Sequence, residues 1–479
     1  MNIKRFLLVA LILFSLSCNF VTQGLNIFPT ETPLPTATLV PTATFIPTAT
    51  LVPTQTPPPT ATPFPAPAYI PPECQNRALA TLPAATTMAE PTQSLGTNPL
   101  LDKAEQLKVF EELTGTISKV YLYPDFNGLD WPGTVAKYRA KIENGLDTEA
   151  FYTEMVNLVT ALGDDHSQFL SPAAVAVSDA ELAGKIDYVG IGTLVDPLIK
   201  KGHFTIISVF PGSAAEHSGF KPHDSLIAVD GIPLIENGKP YSQRLRGPEC
   251  SVARITIQSP GEEPRDIILV RFKVTSSLSI DARLVPTIDG SRIGYIFIPS
   301  FFDETIPGQI EKALKAFGPL DGLILDNRMN GGGASNVVEP ILSYFTSGTL
   351  GQFISRSEKR TFKIDANPIN NSQTVPLVVL VGEDTVSFGE IFSGILQDQG
   401  RAKVVGKTTF GNVETLSGYD FDDGSRAWIA KERFDPAHSH ANWEKDGIIP
   451  NVVAFADWDT FSFENDPAVA AALKIFGHK

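Results

Sequence analysis

Apolar side chains between residues 98 and 172 recur at the three- and four-residue spacing that is typical of amphipathic helices. Two such runs are present: Leu107, Phe110, Leu113 and Ile117, and then Phe151, Met155, Leu158 and Leu162. The pattern predicts a helical region over residues 98–172. Gly163 is a candidate C-cap of its last helix, so we expect His166 to lie on the loop that follows.

From residue 186 to residue 271 the pattern changes to short alternating apolar runs separated by glycine turns, which predicts a small β domain. Its first turn, residues 189–192, reads VGIG, and residues 211–231 read PGSAAEHSGFKPHDSLIAVDG. His217 and His223 lie in the turns of this second segment. We expect both imidazoles to be solvated at the surface.

Residues 281–460 alternate strand-like and helix-like patterns, as expected for a sheet with crossover helices. The predicted strands are Ile293–Ile298, Gly322–Asp326 and Leu377–Val381, and the predicted helices are Thr305–Phe317 and Phe388–Asp398. The three regions together predict a multi-domain protein of the α/β (α+β) class. It would consist of an N-terminal helical region, a small β domain and an α/β core with crossover helices.

The N-terminus resembles a bacterial lipoprotein signal. Lys4 and Arg5 precede an apolar stretch, and Cys18, which such signals convert to a lipidated N-terminus, follows it. Ser15 stands where a leucine is usual, so ordinary secretory cleavage remains the alternative. We expect residues 1–18 to be a signal peptide of the lipoprotein type.

Residues 19–97 are expected to be a proline- and threonine-rich linker. Between residues 29 and 66 a six-residue unit, PTATLV, repeats almost unchanged. Proline removes backbone donors and favours an extended, semi-rigid chain, so this segment is expected to be a spacer rather than part of a core.

The composition excludes several classes of protein. The chain has 479 residues, 43% of them hydrophobic, which is enough to build real cores. Its net charge of −15 disfavours a nucleic-acid binder, which needs a basic surface. After the N-terminus no apolar run is long enough for a polytopic membrane protein. The three cysteines are too few for a zinc cluster. Cys74 and Cys250 could pair in an oxidising compartment or remain buried free thiols.

Ser387 lies between a predicted buried strand and a predicted helix. A sharp turn there exposes a hydroxyl next to unpaired helix N–H groups, which is a good geometry for acyl transfer. A serine that merely caps the helix is the alternative. The glycines Gly331–Gly333 follow the neighbouring strand and could offer N–H groups to an oxyanion, or simply form a tight turn.

The residues around these glycines resemble a known peptidase family. Residues 326–333, DNRMNGGG, resemble the DLRNNGGG signature of the C-terminal processing (tail-specific) and tricorn-core serine peptidases. Residues 380–402 resemble the nucleophile segment of this family, and residues 406–412, GKTTFGN, continue the match. Residues 447–450, GIIP, resemble its terminal motif, with Asn451 in place of the usual aspartate. The resemblance spans roughly residues 100 to 460.

Residues 186–271 resemble a PDZ domain inserted in this family. Such domains bind the C-terminal carboxylate of a peptide with backbone N–H groups and add the peptide to a sheet edge. The resemblance assigns the carboxylate loop to Val189, Gly190, Ile191 and Gly192. Residues 281–460 would then be the peptidase catalytic core, and residues 98–172 the N-terminal helical part of the peptidase.

One departure from the family concerns the general base. The processing branch uses a Ser–Lys dyad with its lysine in the segment TFGKG, and the matching residue here is Asn412. A neutral amide cannot accept the serine proton, so the usual dyad cannot operate. Lys407 is the alternative lysine. In the tricorn-like branch the base is a histidine in the loop that residues 162–172 match, which assigns the base to His166.

The residue that orients the base is less defined by the pattern. Glu444 matches a glutamate of the tricorn-like branch, and Asp165 and Glu414 are the alternatives. With Ser387 as nucleophile, the oxyanion would be held by N–H groups around Gly332 and Phe388. Phe388 replaces a small residue and would narrow the S1 side of the site.

The resemblance implies an exported serine endopeptidase that acts on polypeptides without a metal or other cofactor. A lipid anchor would attach it to the outer face of the bacterial cell membrane, and otherwise it would be secreted. A catalytically inactive peptide-binding homologue is the alternative.

Overall fold

The computed structural model describes residues 66–75, 80–81, 97–182, 188–274 and 278–478. The predicted signal peptide, with Cys18, and most of the predicted linker lie outside the described residues. None of the described helices is long and apolar enough to cross a membrane.

The secondary structure alternates helices and strands along the chain. The helices are α1 Lys103–Val120, α2 Trp131–Glu143, α3 Thr148–Thr160, α4 Pro172–Leu182, α5 Ala214–His217, α6 Ile306–Phe317, α7 Ser335–Phe345, α8 Phe388–Asp398, α9 Trp443–Asp446 and α10 Pro467–Ile475. The strands are β1 Ala80–Thr81, β2 Gln168–Leu170, β3 Tyr188–Gly190, β4 Thr193–Leu198, β5 His203–Val209, β6 Ser225–Val229, β7 Ile232–Pro233, β8 Ile235–Glu236, β9 Lys239–Pro240, β10 Ser251–Gln258, β11 Arg265–Val270, β12 Phe272–Val274, β13 Asp281–Val285, β14 Ile293–Phe297, β15 Gly322–Asp326, β16 Gly348–Ile354, β17 Lys359–Ile364, β18 Leu377–Val381, β19 Lys403–Gly406, β20 Thr415–Asp420, β21 Arg426–Pro436 and β22 Val452–Val453. The mixture confirms the predicted α/β (α+β) class.

The N-terminal helical region contains α1, α2 and α3, as the spacing predicted. α1 begins at a capping box in which Asp102 and Glu105 satisfy each other's backbone N–H groups. The apolar faces of the helices bury Phe110, Leu113 and Phe151 in one core. The short strand β2 then pairs with β21, so the C-terminal end of the loop between α3 and β2 is fixed to the C-terminal half of the chain.

The small β region is built on a sheet with strand order β1-β10-β6-β5-β4, to which β11 is added on β10. Its core contains Ile206, Leu226 and Ile255. Cys74 and Cys250 form a disulfide with Cα atoms 5.4 Å apart, which settles the alternatives left open by the sequence. Both Cys74 and β1 lie within the predicted linker, residues 19–97, so the disulfide and the pairing of β1 with β10 fix part of that segment to this region.

The predicted catalytic core, called the catalytic region below, is centred on a sheet of order β13-β14-β15-β18-β19-β22. From β14 onward the neighbouring strands are parallel. β15 and β18 are buried along their whole length, which is why the sequence shows them as continuous apolar runs. In a parallel arrangement the carboxyl ends of β15 and β18 meet at one edge, and this edge carries both Gly331–Gly333 and Ser387.

The β region and the catalytic region are packed together through the segment after β22. Trp458 donates its indole N–H to the carbonyl oxygen of Ile206, and Nδ1 of His223 lies 2.7 Å from the carbonyl oxygen of Trp458. The ring of His223 also packs against Trp458 and Phe461. The expectation of a solvated His223 was therefore wrong, because its partners come from a segment more than two hundred residues away. Burial lowers the pKa of His223, so it packs there as a neutral ring.

Candidate active site

The backbone at Ser387 has the shape expected of an exposed nucleophile. Its φ of 56° and ψ of −125° lie in a region that residues other than glycine rarely adopt. Ser387 directly precedes α8, but its side chain makes no capping hydrogen bond to the helix. This removes the main alternative, a serine that serves only as a helix cap, and leaves the hydroxyl for another purpose.

The glycine loop after β15 lies directly against Ser387. A Cβ atom built on Gly332, whose φ is +98°, would come within 2.8 Å of Cβ of Ser387 and 3.1 Å of the backbone N of Phe388. Only glycine allows this close approach, which is the observation expected for a loop that borders the reacting carbonyl. The N–H of Gly332 donates to Oδ1 of Asn330 over 2.9 Å. An oxyanion at Gly332 would therefore share this N–H with Asn330, whose side chain is wholly buried.

The loop between β19 and β20 brings Asn412 beside the nucleophile. The N–H of Ser387 donates to the carbonyl oxygen of Asn412 over 2.9 Å. The Asn412 side chain is buried, and neither its Oδ1 nor its Nδ2 has a hydrogen-bond partner among the described residues. The residue that matches the dyad lysine of the processing peptidases thus lies next to Ser387, but here it is an asparagine with a neutral amide side chain.

Glu390, in the first turn of α8, fixes this loop. Its carboxylate accepts hydrogen bonds from the N–H groups of Gly411 and Asn412 and from the hydroxyl of Thr409. Burial raises its pKa to about 7, and the three hydrogen bonds oppose that shift. This role of Glu390 was not predicted from the sequence. The sequence feature that could have indicated this role is its position three residues after the proposed nucleophile.

His166 lies on the loop after α3, as predicted. Oδ1 of Asp164 accepts the N–H groups of His166 and Ser167, and the hydroxyl of Ser167 in turn accepts the N–H of Ala430. The imidazole is buried, and burial lowers its pKa below the usual 6.5 although neighbouring carboxylates, Glu444 first, oppose the shift. His166 is therefore neutral near pH 7, the state that a general base requires.

Two glutamates lie behind the imidazole. Oε2 of Glu414 is 3.6 Å from Nδ1 of His166, and the hydroxyl of Tyr123 donates to Oε1 of the same carboxyl. The second glutamate, Glu444, accepts the N–H of Val413 at its Oε2 over 2.7 Å. Burial raises the pKa of Glu414 to about 7 and that of Glu444 to about 8.

Lys407, Asp165 and Phe388 are the other residues that the sequence suggested for the site. Nζ of Lys407, the alternative base, is 2.8 Å from Oε1 of Glu383 in a half-exposed ion pair. Asp165 adopts a left-handed φ of 58°, and its carboxyl has no described contact with Nδ1 of His166. Phe388, the residue after Ser387, is partly buried and packs against the core of the catalytic region.

The predicted carboxylate loop of the β region connects β3 to β4. Gly192 has a φ of +85°, and a Cβ built on it would lie 2.2 Å from Cβ of Ser213. The carbonyl oxygen of Ile191 accepts the N–H of Ala215. β4, which follows this loop, is the outermost strand in the order β10-β6-β5-β4, so it offers a free edge within the described part of the chain. Binding of a peptide at this edge stays a prediction.

Comparison with known proteins identifies the catalytic region. Residues 292–454 match the model of peptidase family S41. The carboxyl-terminal-processing protease of Synechocystis sp. is 27% identical over 382 residues, which cover 78% of this chain and 87% of that protein. The chloroplastic carboxyl-terminal-processing peptidase 2 of Arabidopsis thaliana is 29% identical over 366 residues, covering 72% of this chain and 68% of that protein.

A solved structure shares the fold. The photosystem II D1 C-terminal processing protease superposes with a TM-score of 0.53 at 23% identity, covering 73% of this chain and 92% of that one. The matched residues 292–454 include β15 with its glycine loop, Ser387 and Asn412, and hence the elements that meet at the carboxyl edge of the parallel sheet. Residues 292–454 are thus similar to peptidase family S41, and the relatives that align with most of the chain are carboxyl-terminal-processing peptidases, so the chain is a serine-type peptidase.

Proposed function

We propose that the protein is an exported endopeptidase that cleaves polypeptides through an acyl-enzyme, with Ser387 as nucleophile and His166 as general base. The observation that supports this proposal most directly is the backbone of Ser387. Its φ is positive, and its hydroxyl makes no capping hydrogen bond to α8. Signal and linker patterns in the sequence support export and attachment to the outer face of the cell membrane through Cys18.

The contacts around Ser387 connect it to the base. Its N–H bonds to Asn412, and the segment from Asn412 continues within two residues to Glu414, the carboxyl nearest Nδ1 of His166. Nδ1 of His166 is buried and faces Glu414. The other ring nitrogen, Nε2, is therefore the one that we propose accepts the serine proton. Since Asn412 carries no base and Lys407 is paired with Glu383, His166 is the group that suits the role.

The proposed reaction follows the acyl-transfer scheme. Oγ of Ser387 attacks the scissile carbonyl carbon while Nε2 of His166 takes the hydroxyl proton, and the tetrahedral oxyanion is held by N–H groups around Gly332 and Phe388. The C–N bond then breaks, and the leaving amine takes the proton from His166. Water, deprotonated by the same imidazole, hydrolyses the acyl-enzyme and regenerates Ser387.

A fluorophosphonate probe tests the activation of Ser387. This reagent forms a covalent bond with an activated serine and spares an inert one. We expect stoichiometric labelling of the full chain at Ser387, identified by peptide mass spectrometry, and no labelling after heat denaturation. A folded chain that stays unlabelled would favour the alternative, a peptide-binding homologue without catalysis.

Recognition of substrate tails by the β region is the second part of the proposal. The Val189–Gly192 loop and the free edge of β4 support a site for a C-terminal carboxylate. Deleting the region would expose Trp458 and Phe461, so a test on the intact protein is cleaner.

We expect a long peptide with a free C-terminal carboxylate to be cleaved with a higher kcat/KM than the same peptide ending in an amide. A difference of about tenfold corresponds to one charge-assisted set of hydrogen bonds. Two short peptides with the same scissile bond, one ending in a carboxylate and one in an amide, are too short to reach both sites and should be cleaved with equal kcat/KM. Equal cleavage of the two long peptides would rule out tail recognition.

A further inference from the structure

The segment after β22, residues 457–461, is bonded to the β region and is called the clamp below. Its two aspartates hold the hairpin of β4 and β5. Oδ2 of Asp457 lies 2.9 Å from Nζ of Lys201, and Oδ2 of Asp459 lies 2.9 Å from Nε2 of His203. Asp459 also pairs with Lys201, and its side chain is largely buried. These contacts add to the hydrogen bonds that the middle of the clamp makes to the β region.

The clamp is bonded to the catalytic region as well. The guanidinium carbon of Arg328 lies 5.2 Å from the ring centre of Trp458 and 5.1 Å from that of Phe461. Arg328 is buried, and it donates hydrogen bonds to Asp326, at the end of β15, and to Asp466, which caps α10. The clamp therefore joins the β4–β5 hairpin to the strand that leads into the glycine loop.

An apolar core also extends from the β region into the catalytic region. Leu194 of β4 lies in one buried cluster with Leu380 of β18. Phe210 packs against the same cluster, and its N–H donates to the carbonyl oxygen of Gly192 over 3.0 Å. Gly192 ends the proposed carboxylate loop, and β18 leads into the turn of Ser387. One core thus holds the loop at one end and the strand before the nucleophile at the other.

Domains that meet through a small polar interface usually move against each other, whereas a buried apolar interface opposes such motion. We propose that the clamp and the shared core hold the tail site, residues 189–192, at one distance from Ser387. The substrates are then unfolded C-terminal segments whose scissile bond lies beyond a minimum number of residues from the free carboxylate. This inference rests on the proposed function and adds to it which polypeptides are cleaved.

A fixed distance gives the dependence on tail length a characteristic shape. A segment that is too short to span the two sites cannot occupy both of them. Beyond the length that just spans them, the effective concentration falls roughly as the −3/2 power of the length, so each doubling lowers kcat/KM about threefold. The rise at the minimum length is therefore steep and the later decline is shallow. A mobile β region would approach Ser387 and remove the steep rise.

A series of peptides measures this shape on the full chain. All of them share one cleavable sequence and one tail, joined by flexible glycine–serine spacers of increasing length, and each is made with a carboxylate end and with an amide end. The ratio of the two kcat/KM values reports tail recognition at each length. We expect a ratio near one for the shortest spacers, a rise to about tenfold within a few added residues, and a decline of about threefold per doubling afterwards.

A distance measurement tests the fixed spacing without using activity. Spin labels attached through Lys239→Cys on β9 and Lys312→Cys on α6, both exposed, report the distance between the two regions by pulsed electron paramagnetic resonance. Cys18→Ser removes the remaining thiol of the chain, since Cys74 and Cys250 form the disulfide. We expect a single narrow distribution of distances, and a broad or two-peaked distribution would overturn the proposal.

Trp458→Ala removes the side chain at the centre of the clamp, and we expect it to broaden the distance distribution and to make the length dependence gradual. Should it fail to fold in a thermal melt, Ile207→Ala shortens a β5 side chain in the shared core and is expected to do the same. Ile268→Ala is the matched control, because Ile268 is as buried as Ile207, at 7% exposure, but lies outside the shared core. An unchanged distribution in a folded Trp458→Ala would overturn the proposal.

The two forms of each peptide separate this inference from the proposed function. Equal cleavage of the carboxylate and amide peptides at every length would contradict the proposed tail recognition, and this inference with it. A carboxylate preference that is the same at every spacer length, or that grows gradually, would leave tail recognition in place and would overturn only the fixed spacing.

Discussion

Replacement of Ser387 by alanine is expected to lower kcat/KM for an unfolded protein substrate by about 10⁵–10⁶-fold and to abolish fluorophosphonate labelling. The residual rate would come from substrate binding and the oxyanion donors, which remain when the nucleophile is removed. The fold should persist, because the Ser387 side chain makes no capping bond and its backbone contacts to Asn412 and α8 do not need the hydroxyl. The measurement is a hydrolysis assay, and circular dichroism and a thermal melt check that the variant is folded.

Ser335 provides a matched control for this variant. It is the first residue of α7, another helix that follows a strand of the same parallel sheet, but it is exposed. Ser335→Ala should retain hydrolysis within about twofold, as surface substitutions usually do. Activity in a clean preparation of Ser387→Ala, above the level of a mock purification, would show that another residue is the nucleophile.

The strands and helices of the catalytic core were predictable because their apolar patterns are local. Leu377–Val381 and Gly322–Asp326 are buried on both faces, and Phe388–Asp398 is buried over most of its length, so each segment shows its environment in its own apolar residues. The prediction of these three elements is confirmed. The strand predicted to end at Ile298 ends at Phe297, and the helix predicted from Thr305 begins at Ile306.

Features set by contacts between distant segments were not predictable in the same way. His223 is packed because Trp458 and Phe461 cover it, and nothing near His223 in the sequence indicates this. The pairing of Cys74 with Cys250, 176 residues apart, likewise depends on where the tertiary fold places the two Cα atoms.

The candidate site likewise has one part that local sequence predicts and another part that depends on contacts between distant segments. The turn before α8 and the loop of His166 follow from local pattern. The order of carboxyls behind the imidazole depends on how the segments of Tyr123, Glu414 and Glu444 meet, and the resemblance alone favoured Glu444. The geometry puts Glu414 next to Nδ1 instead, which only a three-dimensional arrangement could reveal.

His166→Ala is expected to lose about as much activity as Ser387→Ala, because members of one catalytic unit are not additive. In the wild-type chain kcat/KM should rise with an apparent pKa at or below about 6.5, since burial lowers the pKa of His166 and the neutral imidazole is the active form. The activity should then stay high well above neutral pH, whereas a lysine base with an ordinary pKa near 10.4 would remain protonated there.

Lys407→Ala is the matched comparison for this prediction, because it removes the other basic side chain proposed for the site. Its ammonium is half exposed and paired with Glu383, so we expect kcat/KM to fall by no more than about threefold, the scale of a lost surface ion pair. The measurement is the full pH profile of kcat/KM for wild type and both variants on one peptide substrate. An inactive Lys407→Ala together with an active His166→Ala would assign the base to lysine and would contradict the histidine mechanism.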